Sequence, residues 1–307
     1  MAQHSTKLGA VVCSLVRSCA IAGAIAPAMG LVLIFLAGGC APGGFGNDAG
    51  PGHRSQTLAL TPNQELSLGR QAYQEVLSKS RVVRGGPQVD RVRLVGRRIA
   101  DAAAIEPLQR EINLRIQGYV FEWEFNVLQS DQVNAFCLPG GKVAVFTGLL
   151  PVAESDDQLA VVLGHEIAHA LAHHASERIA RQQMIRQAAD VAAGSMGGMD
   201  ERRRRELIGL LSAGAQVGSM AYDRQQESEA DHIGVFLMTF AGYEPDQAVV
   251  FWERMQQASA GRARPPEILS DHPSDAKRIA KLRMWAPQAK AGKKAYDAGH
   301  IAPASRR

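Results

Sequence analysis

Cysteine is scarce: the chain of 307 residues contains 4, and Cys13, Cys19 and Cys40 all fall within its first forty positions. Downstream only Cys137 remains, so no disulfide framework can hold the fold together. It stands between Phe136 and Leu138 with no dedicated base apparent, and reads as a small buried residue, not a nucleophile. A strong excess of one charge is lacking too. The formal charge is +4 and falls to +2 once Lys7 and Arg17 of the N-terminal stretch are set aside, too little to attract nucleic acid. The densest basic run, Arg202 to Arg205, lies between Asp200-Glu201 and Glu206 on an expected helix, as a solvated face does. Internal repeats are missing, so no repeat array offers a partner surface, and binding must use the main domain.

Charge is absent altogether from Ser18 to Asn47. The apolar part of this stretch ends Leu36-Ala37-Gly38-Gly39-Cys40, small residues before a cysteine, as in a bacterial lipoprotein signal. Residues 1–39 are therefore expected to be a signal peptide and Cys40 the lipidation site. The alternative is an uncleaved inner-membrane anchor over residues 18–39, which Pro27 and the glycines weaken. Ala41 is not the aspartate that retains lipoproteins at an inner membrane, which points to the periplasmic face of an outer membrane. Residues 40–56, rich in glycine and proline, read as a flexible tether. Residues 57–287 are long enough for one domain with a sizeable core, and 288–307 read as a polar C-terminal tail. Apolar helical periodicity is expected over 64–79, 87–104, 156–183, 203–221, 225–241, 245–259 and 274–285. Gly194 to Gly198 reads as a plain linker between helices.

Chemistry enters with His165-Glu166-Ile167-Ala168-His169. On an α-helix, residues four apart differ by about 40° around the axis and about 6 Å along it, so the two imidazoles project side by side. They can grip one Zn2+ ion, which accepts neutral imidazole nitrogen and, in a catalytic site, keeps one position open. Glu166 then stands where a general base is needed for amide hydrolysis. The apolar flanks, Leu159 to Leu163 and Ala168 to Leu171, make this a packed helix, in which a polar His-Glu-His face needs a purpose.

A third ligand is expected on another helix. Glu227, at the head of an apolar helical stretch running to Phe240, is the candidate. Asp231, four residues on and hence on the same face, can accept the second N–H of a metal-bound histidine; Glu229 points elsewhere. Upstream, Phe121, Trp123, Phe125 and Val127 alternate with Glu122, Glu124 and Asn126, the pattern of a strand buried on one face. A second strand is expected at Lys142 to Thr147, with the turn at Pro139-Gly140-Gly141, making residues 119–147 an antiparallel pair.

These motifs, with Asn134-Ala135-Phe136, Leu138-Pro139-Gly140-Gly141, Ala241-Gly242-Tyr243, Leu269-Ser270-Asp271-His272-Pro273-Ser274 and Arg278-Ile279, resemble the M48 family of zinc metallopeptidases over residues 57–285. The resemblance implies a mainly helical α+β, zincin-like (gluzincin) domain with a small antiparallel sheet. It implies one Zn2+ held by His165, His169 and Glu227, Glu166 as general base and Asp231 behind the ligands. It also places His272 and Arg278 near the metal, to stabilise an oxyanion or, for His272, to cap the zinc in a latent state. Asn134 and Ala135 would form a strand edge against which an extended substrate pairs. The expected activity is metalloendopeptidase cleavage of unfolded or misassembled cell-envelope proteins. A chaperone or scaffold that binds client strands with little proteolysis is the alternative, and the intact Glu166 speaks against it.

Overall fold

The computed structural model describes residues 55–114, 116–192, 202, 224–259, 266–272 and 277–300. The expected signal peptide, Cys40, most of the tether, the helix over 203–221 and the Gly194–Gly198 linker lie outside these residues. Among the described residues, no helix is long and apolar enough to cross a membrane.

Helix α1 (Pro62–Lys79) starts at a capping box in which Thr61 and Gln64 exchange side-chain and backbone hydrogen bonds, with proline in the first turn. Just before it, Gln56 Nε2 donates to Ala172 O at 2.8 Å, so the expected tether is already docked by residue 56. Helix α2 (Pro87–Ala102) buries Val89, Val92, Val95, Gly96 and Ile99, the stripe its periodicity predicts.

The sheet differs from expectation. Strands β1 (Val82–Val83), β2 (Glu124–Leu128), β3 (Ala135–Leu138) and β4 (Lys142–Phe146) lie in the order β1-β2-β4-β3. The two strands expected to form an antiparallel pair, β2 and β4, run parallel, with Phe125 beside Val143 and Leu128 beside Phe146. The strand antiparallel to β4 is β3, which lies in the stretch between the two strands that the alternation predicts. Four consecutive buried residues, Ala135 to Leu138, give no alternation to read. Pro139-Gly140-Gly141 is indeed a turn, but of the β3–β4 hairpin. Gly140 and Gly141 have φ of +76° and +86°, and a Cβ there would meet Leu66 and Trp123. The sheet is thus mixed. One face carries Phe125, Val127, Val143 and Val145 into the core shared with α2; the other carries Leu128, Phe136, Ala144 and Phe146 against α1.

Helix α4 (Asp156–Leu171) follows the short α3 (Glu106–Glu111), is capped by Ser155, and is buried on all sides from Gln158 onward. The continuous helix expected over 156–183 is broken. His173 adopts φ +54°, a left-handed conformation, and α5 (His174–Ala192) starts immediately after it. His173 Nδ1 is held 2.9 Å from Glu65 Oε2, and its ring stacks on Tyr119 with 3.7 Å between centroids, contacts that offset the strain. Helix α6 (Arg224–Phe240) crosses α4 where Gly164 meets Gly234. Helix α7 (Asp246–Ser259) and the short α8 (Glu267–Asp271) precede α9 (Arg278–Asp297). Helix α9 starts later than the expected 274 and runs beyond the domain boundary drawn at 287, with Ala289 buried.

Candidate metal centre

Helix α4 places His165 and His169 one turn apart on its inner face, with their Nε2 atoms 3.1 Å from each other. The close α4–α6 approach brings in Glu227, whose Oε2 is 3.3 Å from His165 Nε2 and whose Oε1 is 3.4 Å from His169 Nε2. His272, at the end of α8, adds Nδ1 at 3.1 Å from His165 Nε2 and 2.9 Å from Glu227 Oε1. These four residues are buried and offer one ligand atom each, all within 4.8 Å of one another. Ligands about 2.05 Å from a tetrahedral zinc stand about 3.3 Å apart, so the donor spacings fit such an ion.

Electrostatics favours a cation in the same place. Burial disfavours a charged His165, yet Glu227 and Asp231 outweigh it and lift its pKa to about 9. For His169 burial wins, and its pKa falls well below the ordinary value. Burial also opposes the charge on Glu227, but His272 and His165 hold that carboxyl well below the usual range. Glu227 Oε2 and Glu166 Oε1 are buried and accept no hydrogen bond, an arrangement that costs free energy until a cation or water supplies a partner. The residues therefore fit a metal ion.

Each expected site residue can be located except Cys40, which lies outside the described residues. Glu166 is buried beside the donors, 3.3 Å from His272 Nε2, and burial raises its pKa against the pull of His272 and His165. Asp231 Oδ1 lies 3.0 Å from His165 Nδ1, the ring nitrogen that is not part of the donor cluster. Arg278 is on that same side: Nη2 is 2.5 Å from Asp231 Oδ1 and 3.7 Å from Glu227 Oε2, and its guanidinium lies 3.4 Å over the Trp252 ring centre. Asn134 is buried. Its Nδ2 donates to Asp271 at 2.7 Å and its Oδ1 accepts from Ala135 N at 2.9 Å. Strand β3, with Ala135, is the edge of the sheet. Just before it the edge is covered: Val133 N donates to Glu267 Oε2 at 3.2 Å, and Val133 O accepts from Ile268 N at 3.2 Å.

Two buried residues were missed. Glu229 points away from the donors, as expected, but its Oε2 reaches His174 Nε2 at 3.0 Å, and His174 Nδ1 meets His169 Nδ1 at 2.8 Å. The signal available was the second histidine of His173-His174, which a continuous helix would have turned away.

Residues 98–286 match the model of peptidase family M48. The chain belongs to peptidase family M48. Among M48-type relatives, the mitochondrial metalloendopeptidase OMA1 of Schizosaccharomyces pombe is 38% identical over 180 residues, covering 58% of this chain and 51% of that protein. The Saccharomyces cerevisiae protein of that name is 31% identical over 245 residues, 77% of this chain and 68% of its own. The beta-barrel assembly-enhancing protease of Escherichia coli K12 is 31% identical over 172 residues, 54% of this chain but 35% of the relative. The chain thus spans between about a third and two thirds of these relatives.

Proposed function

We propose that this chain is a zinc-dependent metalloendopeptidase of family M48. The observation that carries the reading is the four-donor cluster with Glu166 beside it. His165, His169 and Glu227 would hold the ion, which supplies Lewis acidity to a water and to the scissile carbonyl. Glu166 takes the proton from the attacking water and delivers it to the leaving amine; its burial, by raising its pKa, brings it nearer to what such a proton carrier needs. Asp231 accepts from His165 Nδ1 and so fixes that ring with Nε2 toward the metal. Arg278 lies against Asp231 and Glu227, a placement that favours support of the ligands over the oxyanion contact expected from the resemblance.

His272 supports a latent form. Its Nδ1 sits among the donors, where it would take the position that water needs. The segment that carries it also covers the backbone of Val133 and binds Asn134, beside the edge where an extended substrate would pair. One displacement of residues 266–272 would open both. A scaffold that only binds client strands would have no use for a carboxylate buried beside the four donors, as Glu166 is.

The substrates in this reading are unfolded or misassembled envelope proteins, supported by the name of the Escherichia coli relative. Cys40 would be the lipidated anchor after loss of residues 1–39, with 40–56 as tether and 57–287 as the peptidase domain. The test is cleavage of an unfolded protein by the full chain in detergent with zinc, comparing wild type, Glu166→Gln and His272→Ala. Cleavage by wild type, or by His272→Ala alone, that vanishes in Glu166→Gln carries the proposal. Silence in all folded, zinc-loaded proteins ends it.

A further inference from the structure

We infer that His174 and Glu229 form a positioning pair that locks the His169 ring in its metal-binding tautomer. The inference rests on the reading of His165, His169 and Glu227 as metal ligands, and it begins with where protons must sit. A neutral imidazole that offers Nε2 to a metal carries its proton on Nδ1. In His169 that Nδ1–H faces His174 Nδ1 at 2.8 Å, so His174 must accept there and hold its own proton on Nε2. His174 Nε2 lies 3.0 Å from Glu229 Oε2, which accepts it. The proton order is thus fixed from the carboxylate inward: Glu229 orients His174, and His174 orients His169. If Glu229 stopped accepting, His174 would have reason to move its proton to Nδ1. Two N–H groups would then face each other, and His169 would be driven to carry its proton on the nitrogen the metal needs.

The surroundings suit this role. His174 is fully buried, and Glu229 is 6% exposed, so water cannot easily substitute for either partner. The backbone makes the contact possible. Residues five apart on a continuous helix are turned about 140° from each other and cannot meet. His173 in its left-handed conformation ends α4 and swings His174 back over His169. The two histidine ligands therefore have different supports: a carboxylate directly behind His165, and a carboxylate acting through a second imidazole behind His169.

The test is the zinc affinity of the full chain in detergent, by chelator competition, with folding checked by circular dichroism. His174→Asn and His174→Leu are nearly equal in size, and only the asparagine places an acceptor oxygen where Nδ1 stood. The expected result is that Leu weakens zinc binding about 10- to 100-fold while Asn stays closer to wild type. Glu229→Leu should weaken it similarly, and serves if the His174 variants do not fold. Equal zinc affinity for the Asn and Leu variants, or for Glu229→Leu and wild type, overturns the positioning role. A folded wild type that binds no zinc overturns it together with the metal reading, a result distinct from the first.

Discussion

The closest backbone contact behind the metal centre sets up a decisive comparison of two glycine substitutions. A Cβ on Gly234 would stand 2.9 Å from Gly164 C and from His165 N, whereas ordinary contact starts at 3.4 Å. A Cβ on Gly292 of α9 meets nothing nearer than the Phe240 ring at 3.8 Å. Both glycines lie inside helices, so replacement by alanine brings each the same intrinsic gain of about 0.8–1 kcal/mol. Gly292→Ala should therefore raise stability by about that much. Gly234→Ala must instead push α6 from α4 by about 0.5 Å against close-packed backbone, a strain of about 1–3 kcal/mol. The difference between the two variants should then be about 1–3 kcal/mol, with propensity cancelled. Denaturant unfolding of metal-free protein measures it. Because the same movement separates His165 from Glu227, Gly234→Ala should also bind zinc more weakly, and Gly292→Ala should not. Equal stability changes in the two variants would refute the packing argument.

Stripping the metal with a chelator should lower stability: zinc at a hundred times its dissociation constant contributes about 2.7 kcal/mol, read as a drop in the thermal midpoint. Cys137 should resist thiol reagents in the folded protein and react once denaturant is added, since burial holds its pKa well above the ordinary value. The sign of its pH effect follows: the unfolded thiol loses its proton above about pH 8.5 while the folded one keeps it, so stability falls as pH rises through that range. A Cys137→Ala variant should show a shallower fall above that pH. Thr61→Ala, which removes one half of the α1 capping box, should cost about 1 kcal/mol in a denaturant titration and leave zinc affinity unchanged.

The pairing of His165 with His169, and of Glu227 with Asp231, was legible because helix periodicity alone sets each pair one turn apart on one face. The interruption at His173 was not, since no glycine, asparagine or proline marks it; Glu65 and Tyr119, distant in sequence, hold that conformation. That hidden break also concealed the contact between His174 and His169. The strand order escaped for a related reason. Residues 135–138 are buried on both faces, so period-two alternation vanished at the strand that lies between β2 and β4 in sequence. Helix α6 was placed to within a residue at each end, but α4 stops at Leu171, well short of the expected 183, and His272 follows a five-residue helix too short to have a period.

The pairings in the sheet also differ in how far along the chain their partners lie. Only β3 and β4 are joined by a tight turn, so theirs is the one pairing among the described strands that can close locally, on a scale of about 1–10 μs. The parallel pairing of β2 with β4 needs the chain to reverse twice, and the hairpin is what reverses it. The Gly140-Gly141 corner therefore serves the one pairing that neighbouring residues can close, while the place of β2 and of the chain bearing Asn134 depends on residues farther along the sequence.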